Sequence, residues 1–168
     1  MPEDVIQVRD QFYILATAAR MHEPGRVLKH NDTFTVFDRY GDIQAFGLGE
    51  PGLYHEGTRF LSRFVLRLGP DRPLLLSSRV RSENDLFVAD LTNPDITRDG
   101  RLVLPRDLVH VFRCRFVYGG ACYERLRVCS YSQERIELPV WIWFDADYAD
   151  IFEVRGTPRL RRGEGLPP

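Results

Sequence analysis

Leu108-Val109-His110-Val111-Phe112-Arg113-Cys114-Arg115-Phe116-Val117-Tyr118-Gly119-Gly120-Ala121-Cys122-Tyr123-Glu124-Arg125-Leu126-Arg127-Val128-Cys129-Ser130-Tyr131 is the stretch that decides the fold. It reads as two strands, 108–117 and 121–131, folded back about Gly119-Gly120. Two adjacent glycines accept the positive φ angles that a two-residue hairpin turn demands. That turn sets Arg115 opposite Glu124, Phe116 opposite Tyr123 and Val111 opposite Val128. A charge pair, an aromatic pair and a β-branched pair are all favourable cross-strand matches, so the register supports itself. The same register puts Cys114 opposite Arg125 and Cys122 opposite Val117, which predicts that these two thiols do not pair. A slip of one residue would bring them face to face.

Outward from this hairpin the chain keeps the same character. Short runs rich in β-branched and aromatic residues occur at 11–15, 26–29, 33–37, 60–68, 74–76, 86–91 and 101–104. The Asp38-Arg39-Tyr40-Gly41-Asp42 segment predicts a turn that sends 33–37 back into 43–46 as a hairpin. Gly69-Pro70-Asp71-Arg72-Pro73 predicts a second turn, between 60–68 and 74–76. Residues 47–58 read as a long loop. The run 135–144 is a last strong strand, and Pro139 within it argues for an edge position or a bulge. Helical periodicity is weak everywhere, with 16–21 the best candidate. Many short strands separated by turn residues predict an all-β, antiparallel β-sandwich with little helix. The sandwich is expected over residues 1–156, with 157–168 a linker or frayed tail rich in Arg, Gly and Pro.

Composition agrees with one folded domain. The 168 residues suit a single unit, and 43% hydrophobic content is enough for a core. The net charge of −1 gives no reason to expect nucleic acid or an acidic membrane as partner. No run is apolar and long enough to span a bilayer, and the acidic N-terminus has no signal-peptide pattern. Three cysteines, an odd and sparse set, form no disulfide framework. A cytoplasmic location is the expectation.

The residue types offer few chemical sites. No two of His22, His30, His55 and His110 are spaced as metal ligands. His110 and Cys114 share a strand face, but about 13 Å of strand rise separates them. The acids of Asp145-Ala146-Asp147-Tyr148-Ala149-Asp150 resemble a calcium loop only in spacing, since Asp150 and Gly156 stand where the turn glycine and bidentate Glu belong. Read instead as a glycosidase pair, Asp145 and Asp147 would lie about 7 Å apart on one strand, as any i, i+2 pair does. Acids that cap backbone N–H groups and pair with arginines at a strand end are the plainer reading. No Gly-x-Ser-x-Gly elbow or phosphate-cradling loop occurs. No catalytic residue, metal or cofactor is therefore expected.

Two sets of residues remain as contact candidates. Trp141 and Trp143 share one strand face and could stack on sugar rings, although packing between sheets is the favoured placement for bulky aromatics. Gly52-Leu53-Tyr54-His55-Glu56-Gly57-Thr58-Arg59 gathers Tyr54, His55, Glu56 and Arg59 in one polar stretch. That stretch either lines a partner's site or is a sheet-to-sheet crossover in which Arg59 satisfies backbone carbonyls.

Several motifs in order resemble one family. They are Asn31-Asp32-Thr33-Phe34-Thr35-Val36-Phe37-Asp38, Gly41-Asp42-Ile43, Gly52-Leu53-Tyr54-His55, Thr58-Arg59-Phe60-Leu61-Ser62-Arg63 and Pro73-Leu74-Leu75-Leu76-Ser77-Ser78. A closing motif follows, Asp147-Tyr148-Ala149-Asp150-Ile151-Phe152-Glu153-Val154-Arg155-Gly156. Together they look like the N-terminal domain of bacterial glycogen debranching enzymes of the amylo-α-1,6-glucosidase type. Gly57 departs from the pattern, where many relatives carry an acid. The resemblance implies a β-sandwich that precedes an (α/α)6-barrel bearing the glycosidic carboxylates, so no catalytic residue carries over to this chain. It also implies an incomplete sandwich, or supersandwich, whose open edge invites pairing with a second copy. The partners implied are the barrel, in cis or in trans, an α-glucan, and another copy of the chain.

Three functions follow as expectations. The first is a non-catalytic accessory domain that packs on the barrel and shapes its glucan site through residues 52–63. The second is a stand-alone carbohydrate-binding module. The third is a small hydrolase built on Asp145 and Asp147, which would be removed if both acids were tied into arginine or backbone bonds, away from any cleft.

Overall fold

The computed structural model describes residues 5–8, 11–14, 25–44 and 50–158. In chain order the elements are β1 (Val5–Val8), β2 (Gln11–Ile14), β3 (Arg26–His30), β4 (Thr33–Phe37), β5 (Gly52–His55), β6 (Thr58–Leu61) and β7 (Arg63–Leu68). They continue as β8 (Leu74–Val80), β9 (Leu86–Thr92), β10 (Ile96–Arg98), β11 (Arg101–Leu104), β12 (Val109–Tyr118), β13 (Ala121–Ser130) and β14 (Val140–Asp145). A short helix, α1 (Ile151–Val154), follows. The expected helix at 16–21 lies outside the described residues.

The all-β antiparallel fold is as expected. One four-stranded sheet runs β3-β4-β5-β6 and another runs β13-β12-β9-β8. The pairs β1-β2, β10-β11 and β7-β14 complete the architecture. The β12–β13 register is the one read from sequence. Arg115 faces Glu124, Phe116 faces Tyr123, Val111 faces Val128, Cys114 faces Arg125 and Cys122 faces Val117. Gly119 and Gly120 form the turn, at φ 57° and 80°. The aromatic pair stacks with ring centres 4.8 Å apart. All three thiols are free.

Two expected hairpins are not formed among the described residues. The partners of β4 are β3 and β5, and among the described residues it does not pair with 43–44; residues 45–46 of the expected hairpin lie outside them. Ile43 instead makes a single bridge to Phe64 of β7. The Asp38–Asp42 turn exists, with the Asp38 N–H donating to the Asp42 carbonyl at 2.9 Å, but it delivers the chain to β7 rather than to its own sheet. Similarly, β7 and β8 are not partners. β7 pairs with β14 and β8 with β9, so the Pro-rich turn at 69–73 moves the chain between sheets. A turn motif sets a change of direction but not the choice of neighbour, and burial decided that choice.

β12 shows how the core is organised. Its odd-numbered residues Val109, Val111, Arg113, Arg115 and Val117 are buried, and the even ones are not. Two arginines therefore stand on the core face of the central strand, each only 1% exposed. Around them pack Leu28, Phe37, Leu66, Leu68, Phe87, Ala89 and Leu91. Phe37 and Phe87 meet edge to face across the sheets at 4.8 Å.

The buried arginines are matched by acids from two segments, β13 and the connection after β4. The Glu124 carboxylate of β13 takes the Nε of Arg113 on one oxygen and the Nε of Arg115 on the other, the latter at 2.5 Å. Asp42 receives the Arg113 Nη1 at 2.7 Å, the Leu66 N–H at 3.1 Å and the Arg72 Nη2 at 3.1 Å. Asp38 pairs with Arg72 and accepts the N–H groups of Tyr40 and Asp42 at 2.8 and 2.9 Å. The Arg113 Nη1 also donates to the Tyr40 carbonyl at 2.9 Å. Burial opposes the Arg113 charge, and Glu124 and Asp42 more than offset it, so its pKa lies above the ordinary arginine value.

Removing one member of such a network leaves a buried charge without its partner, which costs about 3–5 kcal/mol. Arg113→Leu is therefore expected to lower the urea midpoint of unfolding strongly, because Asp42 is 1% exposed and cannot recover water. An unchanged midpoint would show that the network contributes nothing net.

Candidate functional site

The stretch 52–61 is a hairpin rather than a loop. β5 and β6 are joined by Glu56-Gly57, and both residues have positive φ, 48° and 79°. This is the two-residue turn whose twist suits a hairpin, and it explains the glycine at 57. A Cβ at Gly57 would meet nothing within 4 Å, so backbone conformation rather than crowding is the constraint there. The crossover reading also has a counterpart: β6 and β7 follow each other through Ser62 but belong to different sheets.

Strand alternation divides the four contact candidates. Tyr54 and Arg59 are cross-strand partners. Tyr54 is fully buried, stacks on Phe34 with centres 4.7 Å apart, and donates its hydroxyl to the Glu50 carbonyl at 3.1 Å. Burial raises the Tyr54 pKa, against the pull of Arg59. His55, one residue on, bonds the Thr33 hydroxyl through Nδ1 at 2.7 Å. A Cβ at Gly120, in the β12–β13 turn, would lie 3.6 Å from the His55 ring. Glu56 sits exposed at the turn. The structure thus brings Tyr54 and Arg59 together, and turns His55 to a different set of neighbours.

Arg59 does not mainly serve backbone carbonyls. Its Nε donates to both oxygens of Asp147, at 3.0 and 3.1 Å, and its Nη2 also pairs with that carboxylate. The Pro51 carbonyl is a minor partner of Arg59, at 3.4 Å. Gly52 permits this arrangement, since a Cβ there would fall 2.6 Å from the Arg59 side chain and 2.7 Å from the Tyr54 ring.

The Arg59–Asp147 pair is one tie in a longer clamp. The Arg59 N–H donates to the Ala149 carbonyl and the Ile151 N–H to the Gly57 carbonyl, both at 2.8 Å. Arg155 reaches Glu50 at 2.9 Å. Phe60 and Tyr148 meet edge to face at 5.8 Å. Asp150 caps α1 by accepting the Phe152 N–H at 2.8 Å. The segment 147–155 is thereby strapped along the β5–β6 hairpin.

These bonds account for the acids weighed as catalytic or calcium-binding groups. Asp147 is held by Arg59, and Asp150 is a helix cap. Asp145 lies 3.6 Å from Arg63, while its carbonyl accepts the Ser62 N–H at 2.9 Å. Both acids of the hydrolase reading are therefore paired with arginines, and neither lines the groove beside β14. His110 pairs with Asp90 at 2.9 Å. Burial pushes the Cys114 and Cys122 thiols up, away from the reactive thiolate. Among the described residues, no group of three His, Cys, Asp or Glu side chains is placed to hold a metal ion, and no helix is long and apolar enough to cross a membrane.

The tryptophans are not between the sheets. Trp141 is 54% exposed and Trp143 50%. The strand expected over 135–144 forms only as β14, Val140–Asp145; Pro139 lies just outside it, and β7 is the one neighbour of β14 among the described residues. Every residue of β14 is exposed, which leaves the favoured core placement without an opposing sheet.

The residues that sequence reading missed are Asp38, Asp42, Arg72 and Arg113. A signal for Arg113 existed: it holds an inward position in the alternation of 109–117. Glu124 is near in sequence, but nothing local announced the Asp42 partner, which is 71 residues away.

The clamp carries a pH dependence. Burial pushes the Asp147 carboxyl up, but bonds from Arg59 and the Ala149 N–H outweigh it, and the net shift is downward. A depressed folded pKa adds stability above the unfolded aspartate value of about 3.9, and that stability is lost as pH falls through the folded pKa. The pair is partly exposed, 17% and 33%, so solvent reduces its worth to about 0.5–1 kcal/mol. An Arg59→Ala, Asp147→Ala double-mutant cycle is expected to show that coupling at pH 7 and to lose it below the folded pKa of Asp147. A pH-independent coupling would assign the contact to packing.

Comparison with known sequences accords with the motifs that meet in the clamp. No curated protein and no solved structure matches the chain. A sequence family described as the N-terminal domain of (some) glycogen debranching enzymes matches residues 28–168, which include both the β5–β6 hairpin and the strap that closes on it. The chain belongs to this family of glycogen debranching enzyme N-terminal domains.

Proposed function

We propose that this domain does no chemistry itself and serves an α-glucan debranching glycoside hydrolase as a docking and site-shaping accessory. The observation that carries the reading is the clamp. It spends Arg59, Asp147 and Asp150 on holding a rigid surface, and presents Phe60, Tyr148 and Phe152 to solvent at 42%, 60% and 63% exposure. Exposed aromatics on a fixed backbone suit an interface, where ordering costs are low. The partner of this surface is an (α/α)6-barrel catalytic domain, in cis or in trans. His55 and Glu56, at the tip of the hairpin, are the residues offered toward a glucan held by that partner. The alternative class, a stand-alone carbohydrate-binding module, needs no barrel; the exposure of Trp141 and Trp143 favours sugar contact by the domain in either case.

Incubated with a branched limit dextrin, the purified domain is expected to release no glucose. Measurable release would refute the accessory role. A second expectation concerns the edge of β14 that has no neighbour among the described residues. Six exposed residues on a strand with one neighbour form a template for pairing, so the isolated domain is expected to self-associate. Light scattering that reports a monomer at high concentration would count against a pairing edge.

A further inference from the structure

We propose that the groove beside the tryptophan face of β14 is an α-glucan-binding site belonging to this domain itself. The proposal rests on the reading that the domain serves a glucan-processing enzyme. The groove encloses about 770 Å³, and residues from the β10–β11 hairpin, the 132–139 segment and the β7–β14 pair line it. That volume is within the roughly 300–1,000 Å³ of typical small-molecule sites. Trp141, Trp143, Arg67, Arg98, Glu134 and Glu137 are the lining residues that matter.

Three features select the ligand class. First, Trp141 and Trp143 stand on one face of β14, about 7 Å apart by strand geometry. Each is about half exposed. Trp143 lies across the strand pair from the fully buried Val65, and the Arg63 guanidinium sits 5.4 Å from its ring centre. Trp141 lies across from Arg67. Indole rings, with only two rotatable bonds, provide contact area at little entropic cost. Second, the flat C–H face of a pyranose is apolar while its rim is all hydroxyl. A pair of half-exposed indoles flanked by hydrogen-bonding forks matches both parts, and arginine and carboxylate each bind vicinal hydroxyls in bidentate fashion. Third, the charges are mixed. Arg67, Arg98 and Arg135 stand against Glu134 and Glu137, and Arg135 already holds Glu137 at 2.6 Å. Such a rim neither attracts an anion strongly nor rejects a neutral ligand. A phosphate or nucleotide would require a single dominant sign, whereas a neutral oligosaccharide does not. The open groove admits a chain rather than a lone ring, and the family membership makes α-linked glucose the monomer to expect.

The test uses the full chain, with intrinsic tryptophan fluorescence and calorimetry, titrated with maltoheptaose and separately with cellohexaose. Saturable binding of maltoheptaose at millimolar concentration or below is expected, with no comparable response to cellohexaose. Trp141→Ala is expected to weaken it roughly tenfold, the scale of one aromatic contact. Glu137→Gln, on an exposed segment where the fold is not at stake, is expected to weaken it several-fold while leaving the circular dichroism spectrum unchanged. Binding of cellohexaose alone would overturn the α-glucan assignment and, with it, the debranching reading. Binding of neither sugar to folded protein would overturn the groove proposal and leave the docking role to its own test. A tryptophan emission shift that follows protein concentration and ignores sugar would assign the face to a protein interface, and would equally overturn it.

Discussion

The structure depends on the pair of arginines that β12 turns into its own core. Arg113 and Arg115 occupy positions where alternation calls for valine or leucine, and each has lost its water. An ion in that position carries a desolvation penalty of several kcal/mol unless oppositely charged groups surround it. Glu124 answers from the neighbouring strand, with one oxygen for each arginine. Asp42 answers from the connection after β4, and at the same time takes the Leu66 N–H of β7. Asp42 bonds Arg113, Arg72 and the Leu66 N–H at once, and so ties the connection after β4 and β7 to β12. Phe64, placed next to both guanidinium groups at 5.7 and 5.3 Å, adds a face to the same junction. Hydrophobic contacts alone would let the two sheets slide; charge pairs with directional hydrogen bonds specify one alignment.

That alignment positions β7, and β7 positions everything relevant to function. It pairs with β14 along one side and bridges Ile43 on the other. Immediately before it, the β5–β6 hairpin receives the strap 147–155 through backbone bonds, the Arg59–Asp147 pair and the Arg155–Glu50 pair. Two motifs separated by some ninety residues are thus halves of one clamp, as the separation in the Arg59–Asp147 bond records. The clamp is built from charges and capped backbone, so its polar residues are occupied. What it leaves to the outside is aromatic: Phe60, Tyr148 and Phe152, with the tryptophans of β14 beyond. The chemistry of the molecule is concentrated in holding shape, and its recognition capacity in exposed rings.

Much of this was legible in particular residues. Gly119-Gly120 named a hairpin, and the pairs Arg115–Glu124 and Phe116–Tyr123 named its register, because cross-strand partners within a short hairpin are local in sequence. Asp150 read as a backbone cap and is one. Pro139 read as an edge marker and lies just before β14, whose one neighbour among the described residues is β7. The misreadings share a cause. Asp38–Asp42 and Gly69–Pro73 read in sequence as hairpin turns joining neighbours, although each carries the chain from one sheet to another. The usual fate of large aromatics puts Trp141 and Trp143 in a core, and that rule says nothing of which strand is left exposed. Tyr54, His55, Glu56 and Arg59 read as one patch because they are adjacent in the chain, while strand alternation sends adjacent side chains to opposite faces.

By itself, then, the sequence determined the class of fold, the strands of the longest hairpin with their register, the unpaired state of Cys114 and Cys122, and the family. All of these follow from local alternation, turn chemistry or ordered motifs. Only the tertiary structure decided that Arg113 would be buried against Asp42, that Arg59 would spend its charge on Asp147, and that the tryptophans would face solvent beside a groove. Each of those outcomes joins segments distant along the chain. Their physical reason is that a charge or a ring takes the environment left to it by the packing of every other strand, which no local pattern records.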